Sequence, residues 1–438
     1  LTQDSNPSKQ QNGPTKRKKL HMAGFFKVTP LETLFTFRQN LPEKAGETVP
    51  LLEAAGRILA ETIVPGENYP DFHRATMDGY AVKAEATFGA SEANPVYLSL
   101  TGQIAMGETP SAAVGPGEAM AISTGGMLPE GADSVVMREY VTAIDAATLE
   151  IVRSVAPWSN VIAIGEDMAA GRPLLTRGTR LRAQECGALA ALGYTGVPVF
   201  QKPVVGIIST GDEIVPVEAQ PQIGEIRDIN TYTLAAMIAD CGGTAQPFGI
   251  ISDEAEKLEK RCLKALESVD MLLISGGSSV GTRDMTIEAI SRLPEAEIKV
   301  HGIPLSPGKP TILASAGKSL IWGLPGQVTS AMIVFDRVVR PFIESMTGRD
   351  TAPGSRDVTL PAVLTRNLAS TPGRTDYIRT RLESGENGWQ AVPILGKSGL
   401  IHTMLKADGL IEIDKNSEGL EKGRLVNVLL FSGQAATP

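Results

Sequence analysis

Residues 271–284, MLLISGGSSVGTRD, leave little choice of local structure. An apolar run from Met271 to Ile274 stops at Ser275, Gly276 and Gly277. An unbroken run this short reads as a strand buried on both faces. Ser278, Ser279 and Gly281 follow, then a helical pattern from about Met285 to Leu293. A buried strand feeding a Gly/Ser loop and then a helix leaves backbone N–H groups free at the strand's carboxyl end, and such places bind anions. In open α/β sheets the ligand crevice lies at those ends. Asp284 adds a carboxylate beside the anion site, which a divalent cation would reconcile. The plainer alternative is a tight turn that holds no ligand.

The surrounding chain repeats the theme. Val204–Ile208, Gln246–Ile250, Met271–Ile274, Ile298–His301, Thr311–Ala314 and Leu320–Trp322 read as strands. Helices are expected from Asp228 to about Cys241, after a cap at Asp253 to about Ser268, and from about Gln327 to Met346. Alternation of this kind predicts a layered α/β domain with a mainly parallel sheet over 201–350. Upstream, short β runs between turns, from Val96–Leu100 to Thr148–Val152, predict a small β module over 64–159. It is expected to interrupt a discontinuous N-terminal domain formed by 22–63 and 160–200. In that domain helices are expected at Thr29–Pro30 onward, with Thr29 as N-cap, over 50–64, and from Ala183 to Leu192, ended by Gly193. Thr351–Arg356 reads as a linker, and 351–438 as a C-terminal β domain. Residues 1–21, with basic Lys16–Lys19, are expected to be an added, unordered tail ahead of a native start at Met22; a basic binding arm is the alternative.

Composition removes several classes of function. The formal net charge of −8 argues against general nucleic-acid binding. No apolar run reaches the length of a membrane span. Three cysteines without a CxxC suit a reducing compartment, here the cytoplasm, and buried small hydrophobes. Four histidines lack ligand spacing, which disfavours zinc. No Walker lysine follows the glycines and no GxGxxG occurs, so a P-loop ATPase or an NAD enzyme is disfavoured.

The expected strand-end loops are Ser209–Glu213, Ser275–Asp284 and Gly323–Gly326, joined by Ser306–Pro310. Together they offer glycine N–H groups, the hydroxyls of Ser209, Ser275 and Ser278, one lysine, and the acids Asp212, Glu213 and Asp284. That set suits a phosphate-bearing ligand with a hard metal such as Mg²⁺. Asp78, Glu166 and Asp167 lie in other loops, where an isolated acid is commonly a cap or turn former.

Six motifs occur in order: MDGYA at 77–81, TGG at 124–126 with PEGADSVV at 129–136, STGDE at 209–213, SGGSSVG at 275–281 with Asp284, PGKP at 307–310, and GLPG at 323–326. Over about residues 25–435 the chain resembles the molybdopterin molybdenumtransferase family, which includes bacterial MoeA, the plant molybdenum-insertase domain and the gephyrin E domain. The resemblance implies an elongated homodimer whose cleft lies between the α/β domain of one subunit and the β module of the other. It implies binding of adenylylated molybdopterin and molybdate, Mg²⁺-dependent insertion of the metal into the dithiolene, and release of AMP. It assigns functional roles to Asp78, Thr124, Asp167, Glu213 and Asp284, with Asp284 and Glu213 on the metal. Ser209, Gly211, Ser275, Gly276, Gly277, Ser278, Lys309, Pro310, Gly323 and Pro325 then line the substrate pocket, and Arg379 and Ser398 hold the molybdate oxyanion. A molybdopterin adenylyltransferase or an apo-molybdoenzyme would be the protein partner. The chain departs from the family at Gln327-Val328-Thr329, where Asn-Pro-Val is usual, at Ser306, where a base is common, and at His402, where a small hydroxyl residue is frequent. A tungstate-handling paralogue or a non-catalytic pterin-binding scaffold is the alternative.

Overall fold

The computed structural model describes residues 28–276, 280–349, 357–386 and 388–431, apart from the side chains of Asn40 and Val280–Asp284. A six-stranded sheet lies at its centre, in the order Thr244–Ile251, Val204–Thr210, Met271–Ser275, Ser319–Leu324, Ile312–Ala316, Ala296–His301. The first four strands are parallel, Ile312–Ala316 runs against them and Ala296–His301 pairs antiparallel with Ile312–Ala316, so the parallel expectation holds for the part that carries the loops. Met271–Ser275 is central and buried at every position. Met271 and Leu273 face one core with Ile207, Leu234, Ile238, Trp322 and Phe335. Leu272 and Ile274 face the other with Ile208, Leu258, Cys262 and Ile290. Helices on both faces therefore explain why the strand is apolar without alternation.

Register sets the site. Ser209 pairs with Ser275, and Ser275 with Leu324. The loops that follow these strands thus leave the sheet at one level. The helix Ala255–Leu266 has Glu254 at its N-cap position and no side-chain cap, so Asp253 is freed from the capping role expected of it. The expected long helix from Gln327 is continuous as Val328–Val334, a π turn Phe335–Val339 and Arg340–Ser345. The wider turn precedes Pro341, whose ring cannot enter a regular ladder.

The N-terminal region is held by antiparallel pairing of distant segments. Gly46–Pro50 pairs with Gly196–Phe200, and isolated bridges join Ile58 to Arg180, Ile63 to Leu175 and Tyr69 to Met168. Between those flanks lies a six-stranded sheet of Ser134–Met137, Gly79–Val82, Glu118–Ile122, Val96–Ile104, Thr148–Ile151 and Val141–Ala143. The helix expected over 50–64 is absent: only Leu51–Glu53 forms a 3₁₀ turn. Gly56 at φ 79° reverses the chain, and Ile58, Leu59 and Ile63 pair as extended backbone, while Leu52 is 98% exposed. Tertiary pairing has overridden a helical spacing of apolar residues. Thr29 likewise is not a cap; its N–H donates to Gly302 O and Pro30 occupies the N-cap position of Leu31–Thr36.

The helix Ala183–Ala191 forms as expected, with Gly193 at φ 78° beyond its end. Glu185 closes its first turn, accepting from the Arg182 N–H at 2.7 Å and from the guanidinium at 2.6 Å. The Arg182 hydrogen bonds outweigh burial and bring the Glu185 carboxyl down to about 2. A carboxyl depressed on folding contributes stability that is complete above its ordinary value and lost as pH falls through the folded value. Wild type should therefore unfold at a higher temperature than Glu185→Gln near neutral pH. The gap should close between 4.5 and about 2, as thermal melts at stepped pH would show.

In the C-terminal region Thr375–Gly385, Gly388–Pro393, Thr359–Leu364, Leu425–Leu430 and Gly409–Ile413 form a sheet that closes by pairing of Thr375–Gly385 with Gly409–Ile413. Leu305–Ser306 adds to its edge opposite Thr375 and Asp376, which ties the loop before Lys309 to this small barrel. Cys241 and Cys262 are buried, with burial pushing both thiols up to about 12. Cys186 is half-buried. Among the described residues no helix is long and apolar enough to cross a membrane.

Candidate active site

A pocket of about 350 Å³ opens at the carboxyl ends of the parallel strands. Ser209, Gly211 and Glu213 come from the first expected loop, Ser275 and Gly276 from the second, and Gly326 from the third. Ser209 Oγ donates to Asp228 Oδ1 at 3.0 Å, and Asp228 Oδ1 also accepts the N–H of Thr231 at 3.1 Å. One side chain thus caps the helix Asn230–Asp240 and fixes the pocket floor. Asn230 Nδ2 donates to Ser275 Oγ at 2.7 Å and to Gly326 O at 2.8 Å, joining two of the loops. Gly276 sits at φ 146°, and a Cβ there would lie 2.1 Å from Thr210 Oγ1 and 2.2 Å from Thr210 O. Only glycine permits that contact. Thr210 Oγ1 and Asn230 Oδ1 are buried and have no hydrogen-bond partner among the described residues. Buried polar atoms of this kind favour a polar ligand.

Acids gather on one side. Glu213 and Asp253 line the pocket, and Asp212 accepts the N–H of Asp253 at 3.1 Å. Burial, then Asp212 and Glu213, hold the Asp253 carboxyl above its ordinary value. Asp253 Oδ1 is buried without a partner. An all-oxygen set short of positive charge fits a hard divalent cation in donor chemistry. Among the described residues no three His, Cys, Asp or Glu come close enough to hold one. Asp284 lies on the helix Val280–Ser291 that leaves the glycine loop, and its side chain is outside the described set, as are Gly277 and Ser278.

Other expected residues separate into groups. Gly323 in the strand Ser319–Leu324 and Pro325 in the loop after it are buried, and neither lines the pocket. Lys309 is exposed and Pro310 half-buried in the loop joined to the barrel. Arg379 is 8% exposed and donates to Thr403 Oγ1 at 2.5 Å and Gly396 O at 2.7 Å. It lies under the segment 396–403 rather than on the pocket wall. Ser398 belongs to that segment, and its neighbour Gly399 reaches the pocket. Asp78 and Thr124 meet directly: Asp78 Oδ1 accepts the Thr124 N–H at 2.7 Å and its hydroxyl at 2.9 Å. Those two bonds lower the Asp78 pKa. Asp167 is exposed in a depression with Glu166 and Arg172. Within this chain Asp78, Thr124 and Asp167 do not line the strand-end pocket.

Sequence reasoning passed over Asp228, Asn230 and Asp253 as pocket residues, whereas Thr210, Gln327 and Gly399 lie in stretches that it had placed at the cleft. Asp228–Thr231 reads as a helix start, and a helix that begins at a strand-end crevice was the available signal. Gly399 arrives from the barrel and follows Ser398, in the stretch that the resemblance places on the oxyanion.

Loops of an open α/β sheet that close over a polar pocket at the parallel strand ends define a small-molecule-binding protein. Comparison with known proteins specifies which. The "MoeA N-terminal region (domain I and II)" family matches residues 28–193, the "Probable molybdopterin binding domain" family 206–345, and the "MoeA C-terminal region (domain IV)" family 361–431. The chain belongs to the molybdopterin molybdenumtransferase (MoeA) family. It is 34% identical over 395 residues to a molybdopterin molybdenumtransferase of Bacillus subtilis, covering 89% of this chain and 91% of that one. It is 30% identical over 388 residues to one of Haemophilus influenzae, covering 88% and 94%. The crystal structure of a molybdopterin biosynthesis MoeA protein from Pyrococcus horikoshii OT3 superposes with TM-score 0.80 at 32% identity, over 92% of this chain and all of that one.

Proposed function

We propose that this protein is a molybdopterin molybdenumtransferase that inserts molybdate into adenylylated molybdopterin and releases AMP. The observation that carries the reading is the strand-end pocket itself, which lies in the segment matched by the molybdopterin-binding family. Ser275 and Gly276, beside Ser209 and Gly211, would bind the phosphate end of the pterin nucleotide. Glu213 and Asp284 would hold Mg²⁺, with Asp253 beside them. Mg²⁺, when bound, supplies positive charge to phosphoryl oxygens as the bond to AMP breaks. The dithiolene sulfurs come from the substrate, so no protein nucleophile is required. The protein's part is to hold the two substrates in line and keep water from the reacting atoms.

The Arg379–Ser398 region, next to Gly399 on the pocket, would take the tetrahedral dianion; a guanidinium and hydroxyl suit it. Lys309 and Pro310 would border the entrance. The cleft is proposed to be completed in a homodimer, where Asp78, Thr124 and Asp167 of one subunit face the pocket of the other. A cytoplasmic setting follows from the substrates.

Incubation with adenylylated molybdopterin, molybdate and Mg²⁺ should release AMP and form the metal-bound cofactor. Absence of both products overturns the proposal. Arg379→Ala should raise the half-saturating molybdate concentration by about tenfold, the scale of one charge-assisted contact. An unchanged molybdate dependence would take Arg379 out of the site.

A further inference from the structure

The segment Gly396–Leu400 is exposed for most of its length, yet alternate carbonyls are fastened to buried side chains. Gly396 O accepts from Arg379 Nη2 at 2.7 Å, and Leu400 O accepts from Thr403 Oγ1 at 2.6 Å. Both of these anchors come from the C-terminal region itself. The middle carbonyl is held from elsewhere. Ser398 O accepts twice from Thr329, from its N–H at 3.1 Å and its Oγ1 at 2.7 Å. Thr329 is fully buried in the first turn of the helix that leaves the Gly323–Gly326 loop. Its neighbours Gln327 and Val328 line the pocket, and so does Gly399.

With three carbonyls pinned inward, the N–H groups of Lys397, Ser398 and Gly399 have no acceptor among the described residues. We infer that the Thr329 hydroxyl is a latch that holds the 396–400 segment of the C-terminal region against the lip of the α/β pocket. Thr329 is thereby a positioning residue for the oxyanion, acting through Ser398 and Gly399. This rests on the reading that molybdate meets this segment. Without the hydroxyl, Ser398 O keeps one bond from the Thr329 N–H, so the segment loosens while the helix stays. Fewer molecules then hold the oxyanion donors in place at any moment, and apparent affinity falls by the lost fraction.

Thr329→Val removes the hydroxyl at nearly constant shape, and Thr329→Ser restores it. Hydrogen–deuterium exchange without substrates should show, in Thr329→Val alone, faster exchange at the two bonded amides of the docked segment, that of residue 329, which donates to Ser398 O, and that of Leu400, which donates to Lys397 O. The half-saturating molybdate concentration should rise about three- to tenfold, as for one neutral hydrogen bond. That for adenylylated molybdopterin and the turnover at saturation should stay near wild type, and Thr329→Ser should recover both readouts. Exchange and molybdate dependence that match wild type in Thr329→Val would overturn the latch. So would a loss shared equally by both substrates, or one that serine does not rescue. If wild type releases no AMP, the catalytic reading fails separately, and the exchange experiment alone decides whether the latch exists.

Discussion

Gly276→Ala is expected to lose the pocket and much of the stability of the α/β region. The new Cβ would meet Thr210 Oγ1 and the Thr210 carbonyl at 2.1 and 2.2 Å, and one of these is backbone in the adjacent strand. No rotamer relieves that contact. The φ of 146° adds strain that an L side chain rarely tolerates. Overpacking and backbone strain together should cost about 2–6 kcal/mol. Calorimetry should show a transition lowered by about 4–24 °C, on the usual conversion for a domain of this size. Binding of adenylylated molybdopterin should disappear with it. An alanine variant that melts and binds like wild type would mean that the two strands part without cost. The close approach would then not define the site.

The second large effect is expected at Asn230. Its amide nitrogen bridges Ser275 Oγ and Gly326 O, and these belong to different loops. Asn230→Ala leaves both acceptors unpaired inside a pocket, at about 1–3 kcal/mol. The chemical consequence should exceed the thermal one. Misplacing substrate-positioning loops by about 1 Å costs on the order of 100-fold in rate. Turnover should therefore fall about 100-fold while the melting temperature falls only a few degrees. Asn230→Asp keeps the size but replaces the donor by an acceptor and should be as inactive as alanine. Full activity in either variant would assign the loop geometry to the backbone alone.

Much of the molecule could be read before it was seen. Val96–Ile104, Glu118–Ile122, Ser134–Met137, Thr148–Ile151 and the α/β strands fall where β-branched runs and turn residues put them. Their signals are local: a pleated apolar face and a breaker at each end. Motif order gave the family, and the glycine loops gave the pocket. The failures share one cause. Leu51–Leu59 has helical spacing but folds as a turn and an extended strip, because its backbone pairs with residues 175–199 far along the chain. Asp253 resembles a cap but faces the pocket acids. Asn230 looks like any helix start until Ser275 and Gly326 are seen beside it. Gly399, next to the expected Ser398, reaches the pocket because Thr329 holds the Ser398 carbonyl and the barrel is tied to the loop at Leu305–Ser306.

The sequence by itself determined the strand Met271–Ser275 and the helix that follows it, which begins at Val280 rather than near Met285, and with them the carboxyl end of a parallel sheet as the place for a ligand. Backbone conformation near a glycine and burial of an apolar run depend on neighbouring residues, so they are written locally. The tertiary structure alone decided which side chains close that end. Asn230, Asp253, Val328 and Gly399 arrive from four separate elements, and strand register together with two hydrogen bonds from Thr329 to the Ser398 carbonyl brings them to one pocket. Register and docking are long-range choices, set by matched packing and pairing that no single stretch of the chain contains.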